Sequence, residues 1–210
     1  MDGLIAELQV LLARTPGAEV FTRAFSSAVR AVRDSAGAST RAIAFLEATD
    51  WPSNATQDTR AVAKLVQDEE SLHWAVPYGD DPRSGRGFAE RAAFCTIAGP
   101  GEALDTAVLA AGFFVVGPDV DYNDHRHGPA ELYLPVSGTA RYWTEPSGWQ
   151  SSAPGSAIVH PPWTWHAMGT DDQAVLIFWM WLLPDGVFGP MPELSDRFGG
   201  APVAGRIGNR

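Results

Sequence analysis

A mainly β fold, a barrel or jelly roll behind an N-terminal α-helical region, is what the residue order of this 210-residue chain predicts. Three observations predict it. Residues 1–75 hold only three of the 21 glycines and two of the 16 prolines, so the turn-making residues crowd into the remainder. Apolar residues recur at helical spacing before residue 76 and in short runs separated by turn signals after it. The third is a group of histidines and a glutamate set within those later runs, at 125–131 and 166. The expected division is a helical region over 1–76 that packs on the barrel, and a β-barrel over 77–210 that carries the site.

The helices come first. Leu4, Ile5, Leu8, Leu11 and Leu12 mark one face, stopped by Pro16-Gly17. Phe21, Phe25, Val29 and Val32 mark a second helix, 42–46 fits a third, and Val62, Leu65, Val66 and Leu72 mark a fourth beginning near the cap candidates Ser53 and Asn54. These stripes are expected to pack on the barrel or on each other, with a homodimer interface as the alternative. Residues 77–87, PYGDDPRSGRG, read as loop, either a surface linker or a lid over a barrel mouth. Strands are then expected at 92–97, 109–116, 131–136, 140–144, 156–159, 164–168 and 175–183, with Gly138 as a hairpin turn.

Composition excludes several classes. A net charge of -10 argues against a nucleic-acid groove, which needs clustered Lys and Arg. The longest apolar run, 174–183, suits a buried strand and falls short of the ~18 residues of a membrane span. Cys95 stands alone and can form no intrachain disulfide. Residues 1–7 lack the basic start and apolar stretch of a signal peptide, so a cytoplasmic address is expected.

The chemistry concentrates in H-x-H-x3-E-x6-G, from His125 through His127 and Glu131 to Gly138, answered by G-x5-P-x4-H from Gly155 through Pro161 to His166. Two His at i and i+2 share one face of a strand, and Glu131 and Tyr133 repeat that relation. Three imidazoles and a carboxylate suit one divalent Fe, Zn, Mn, Ni or Co ion with exchangeable positions left open, which favours catalysis over structural stapling. Tyr122, Tyr133, Trp163, Trp165, Trp179 and Trp181 lie near these residues in sequence. Together, such rings form a wall that attracts onium cations. His73 and His160 read as structural histidines.

The two motifs resemble those of the cupin superfamily, with ligands on His125, His127, Glu131 and His166. Two positions depart from that pattern: Asp119 and Trp163 stand where glycines are expected. Within the cupins, the run Y-x2-H-x-H-x3-E-x-Y followed by a later His resembles the dimethylsulfoniopropionate (DMSP) lyases of the Q type. That resemblance implies a double-stranded β-helix behind helices and a metal-dependent β-elimination that yields dimethyl sulfide and acrylate. It further implies Tyr133 as the catalytic base, Tyr122 as a substrate contact, and Trp181 or Trp179 as a tryptophan of the substrate pocket. A cupin Fe(II) oxygenase acting on a small thiol and a non-catalytic binding cupin remain the alternatives.

Overall fold

The computed structural model describes residues 1–29, 56–145, 147–186 and 189–195. Among the described residues three helices, α1 (Asp2–Arg14), α2 (Glu19–Val29) and α3 (Gln57–Asp68), precede the strands. The expected helix at 42–46, Val32 and the cap candidates Ser53 and Asn54 lie outside the described residues. α3 is capped by Thr56, whose Oγ1 accepts from the Thr59 amide at 3.2 Å, satisfying one of the amides a helix start leaves unpaired. Leu72 lies beyond the end of α3 yet is buried.

Among the described residues twelve strands form two sheets, antiparallel but for one short pair. They are β1 (Trp74–Ala75), β2 (Ala92–Gly99), β3 (Leu104–Asp105), β4 (Leu109–Val116), β5 (Asp121–Arg126) and β6 (Ala130–Ser137), then β7 (Ala140–Thr144), β8 (Gly148–Ser152), β9 (Ile158–His160), β10 (His166–Gly169), β11 (Val175–Leu182) and β12 (Glu193–Leu194). The larger sheet runs β1-β2-β4-β11-β6-β9, with β3 joining β2 in parallel, and the smaller runs β12-β5-β10-β7-β8. A short helix, α4 (Phe88–Arg91), leads into β2. This is the mainly β architecture with N-terminal helices that the sequence predicts.

Gly138 does not close a hairpin. β6 pairs with β11 and β9, whereas β7 pairs with β10 and β8, so the turn at Gly138 carries the chain from one sheet to the other. Its φ is +81°, and a Cβ there would lie 2.3 Å from the Ala174 carbonyl oxygen, so only glycine fits. The two departures from the motif pattern keep the same backbone hand. Asp119 has φ +59° and Trp163 φ +60°, both in the left-handed region that glycine adopts freely. Aspartate tolerates this region. Trp163 is held in it by its amide, which donates to the His127 carbonyl at 2.7 Å, and by its ring, which covers Gly128.

Alternation along the strands of the larger sheet makes two cores. Leu132, Leu134, Val136, Leu176, Phe178 and Met180 face the helices and pack against Leu8, Phe21, Phe25 and Val62. Tyr133, Val175, Ile177, Trp179 and Trp181 face the other way, into the space shared with Tyr122, Tyr142 and Met168 of the smaller sheet. The site opens into this second space.

Candidate metal centre

β5 and β10 pair so that His125 and His166 are direct neighbours, and His127 follows one residue past the end of β5. β6 supplies Glu131 from the opposite sheet. All four side chains are buried, at 3% exposure or less. The ligating atoms of His125, His127 and His166 lie within 4.8 Å of one another, as do those of Glu131, His160 and His166. Glu131 Oε2 sits 3.4 Å from His127 Nε2 and 3.1 Å from His166 Nε2. The four residues singled out from the sequence are therefore brought together.

Backbone carbonyls fix the imidazole tautomers. His125 Nδ1 lies 2.9 Å from the Asn123 oxygen, His127 Nδ1 3.0 Å from Pro129 and His166 Nδ1 2.8 Å from Thr164. A carbonyl can only accept, so each Nδ1 carries the proton and each Nε2 keeps its lone pair. Nε2 of His127 and of His166 is buried without a hydrogen-bond partner. Imidazoles oriented by a second-layer acceptor, with inward lone pairs left over beside a carboxylate, are what a divalent cation requires. The residues present fit such an ion.

Electrostatics agree. Burial raises the Glu131 carboxyl, yet the His127 charge and contacts from His127, His160 and His166 outweigh it and hold Glu131 well below the usual range. Burial, reinforced by His166, lowers His125 well below its ordinary value. Burial and then the same neighbour lower His160 to about 4. An ionised carboxylate thus faces His125 and His160, both biased toward neutrality, which for His125 is the protonation state that ligation needs.

A cavity of about 150 Å³ opens beside the cluster, lined among others by Tyr122, His125, Glu131, Tyr133, Trp179 and Trp181. It is smaller than the ~300–1,000 Å³ of drug-sized sites and suits a small molecule. The Tyr122 ring stacks on His125 at 3.8 Å and meets Phe88 at 4.5 Å on another side. Trp181 leans on His127 with ring centroids 4.3 Å apart, and its indole N–H reaches Glu131. Trp179 meets Trp181 and Phe94 in edge-to-face geometry, at 5.9 and 6.3 Å, and lines the cavity. Trp163 and Trp165 lie away from the cavity, alongside Arg126. Burial first, then the Glu131 charge, push the Tyr133 phenol well above its ordinary value.

Two site residues escaped the sequence reading. His160 is fully buried against Glu131 and stacks on His166 at 4.0 Å. The cue was a cross-strand register that a single sequence does not display. Tyr78, from the 77–87 loop, lines the cavity, and its hydroxyl hydrogen-bonds that of Tyr122 at 2.6 Å. It adopts φ +68°, unusual for an aromatic residue. The loop is tied to β5 just beyond it: Asn123 Nδ2 donates to the Arg83 carbonyl at 3.0 Å, and Arg86 pairs with Asp121 at 3.0 Å. His73, just before β1, does not line the cavity. Among the described residues no helix is long and apolar enough to cross a membrane.

A family model described as dimethylsulfoniopropionate lyase matches residues 17–177. No curated protein matches the sequence. Among solved structures, the chain is similar to one reported under "Crystal structures of DMSP lyases RdDddP and RnDddQII", with 25% identity and a TM-score of 0.76 over 92% of this chain and 96% of that one. It is also similar to the DMSP lyase DddQ from Ruegeria pomeroyi DSS-3, with 21% identity and a TM-score of 0.73 over 96% and 98% of the two chains. A cupin-2 domain from Rhodospirillum rubrum matches at 17% identity and a TM-score of 0.50, over 62% of this chain and 80% of that one, a likeness of fold.

Proposed function

The chain belongs to the dimethylsulfoniopropionate lyase family and is a lyase, and from that premise we propose that it eliminates dimethyl sulfide from DMSP with one divalent ion and Tyr133 as base. His125, His127, Glu131 and His166 would hold the ion. The observation that carries this reading is that two of the ligand residues, His125 and Glu131, line one small aromatic-walled cavity together with Tyr133. When bound, a divalent ion supplies positive charge that offsets a substrate carboxylate, acidifies the adjoining C–H and favours the phenolate of Tyr133.

The residues of the chain do the rest. Trp179, with Trp181 and Tyr122 beside it, turns aromatic surface toward the sulfonium end of the substrate. Buried walls around Tyr133 keep water from competing for the base. The Tyr133 phenolate oxygen takes the proton from the carbon next to the carboxylate, and the pair left behind becomes the new C=C bond. The C–S bond breaks with its electrons on sulfur, so dimethyl sulfide leaves neutral and acrylate remains. Sulfide departure needs no proton, and a single base suffices.

The test is headspace measurement of dimethyl sulfide, with acrylate quantified in solution, after adding DMSP to metal-loaded protein. Equal amounts of the two products without oxygen uptake are expected. Oxygen consumption matched to turnover, or bound DMSP without products, would contradict the reading.

A further inference from the structure

Glu131 sits in the middle of a row that crosses three strands. The register places Trp181 of β11 opposite Glu131 of β6, and Glu131 opposite His160 of β9. Both flanking residues aim an N–H at the same carboxylate. Trp181 Nε1 donates to Oε1 at 2.5 Å, and His160 Nδ1 donates to Oε2 at 2.9 Å. The indole can only donate, and an ionised carboxylate can only accept, so neither bond has an alternative polarity. Rotation about the last side-chain bond of a glutamate is broad when it is free. Here such a rotation would break both bonds at once.

His160 is itself held in place. It is fully buried, and its ring lies nearly parallel to that of His166, 4.0 Å away and 15° from coplanar. Trp181 is braced on the other side by His127. The ring that orients each oxygen of Glu131 therefore packs on one of the two imidazoles, His127 and His166, whose Nε2 atoms face Oε2.

We propose that His160 and Trp181 are positioning residues that clamp Glu131 from the two neighbouring strands, presetting Oε2 toward the ion that it shares with His127 and His166. The inference deepens the metal reading above and rests on it. On this proposal His160 acts through Glu131, to which its Nδ1 donates, and a His160→Asn variant separates that role from ligation through its buried Nε2. Trp181 has the same duty through its N–H, separate from any contact its ring face makes with substrate. Loss of such a second-layer partner typically weakens metal binding by about 10–100-fold.

Zn(II) affinity, measured by chelator competition on the full chain, reads this directly and without turnover. His160→Leu and Trp181→Phe should each weaken Zn(II) by about 10–100-fold, while the unfolding temperature of the ion-free protein stays near that of wild type. His160→Asn, whose side-chain amide nitrogen takes the place of Nδ1, should recover most of the loss. Wild-type affinity in both His160→Leu and Trp181→Phe would overturn the clamp. So would a His160→Asn protein as weak as His160→Leu, which would make His160 a ligand through Nε2. If His160→Leu does not fold, Trp181→Phe, which keeps an aromatic ring but removes the donor, decides alone. A wild-type chain that takes up no Zn(II) or other divalent ion overturns the metal reading and the clamp together, an outcome distinct from a wild type that loads no better than its variants.

Discussion

The two faces of the larger sheet differ in what they bury. On the outer face β6 and β11 present Leu132, Leu134, Val136, Leu176, Phe178 and Met180, all apolar, to the helices. On the inner face the same strands present Glu131, Tyr133, Trp179 and Trp181. Stability and chemistry are thus interleaved residue by residue and separated only by the two-residue period of the strand. A substitution should act on folding or on turnover according to its parity, even when its neighbour acts on the other.

The largest expected effects lie at the ligands. His127→Ala or His166→Ala should abolish turnover and sharply lower ion occupancy, measured by elemental analysis, and full occupancy in both would break the site assignment. On the outer face, Phe178→Ala removes a ring packed edge-on against Phe25 and Phe113. It should cost about 3–5 kcal/mol in urea unfolding, with turnover per folded molecule unchanged. Lost turnover in a fully folded Phe178→Ala protein would show that the faces are not independent.

Smaller effects sharpen the inner face. Trp179→Leu keeps apolar bulk but removes the ring, so KM for an onium substrate should rise by the equivalent of ~0.5–2 kcal/mol. A neutral isostere should lose much less, and equal losses would mean packing damage. Tyr78→Phe deletes one hydroxyl from the pair with Tyr122 and should lower kcat/KM by the equivalent of ~0.5–1.5 kcal/mol, with the unfolding temperature unchanged. No change would leave Tyr78 as wall only.

Much of this was legible in one sequence. The face of α1, Leu4, Ile5, Leu8, Leu11 and Leu12, is its buried set, and β4 and β7 occupy the expected ranges. β5 was implied by the His125 and His127 spacing but received no range among the expected strands, because apolar alternation cannot reveal it. Its sequence is DYNDHR, and Asp121, Asn123, Asp124 and His125 are all buried as polar residues. β8, GWQSS, is half exposed at a sheet edge and gives an equally weak signal. The four metal-type residues were visible because their spacing is local to strands. His160 was not, because its link to Glu131 depends on β6–β9 pairing, and Tyr78 was not, because Gly, Pro and Asp around it signal only a loop.

The most direct test of the account is Tyr133→Phe, with metal content, folding and DMSP turnover measured on one preparation. Only a hydroxyl is lost, from a residue whose strand neighbours Leu132 and Leu134 hold the opposite face. The account predicts unchanged metal and unfolding temperature with kcat reduced by roughly 10²–10⁴, the usual contribution of a positioned base. Near-wild-type kcat with the metal intact would contradict it, and would turn attention to Tyr122 as the base.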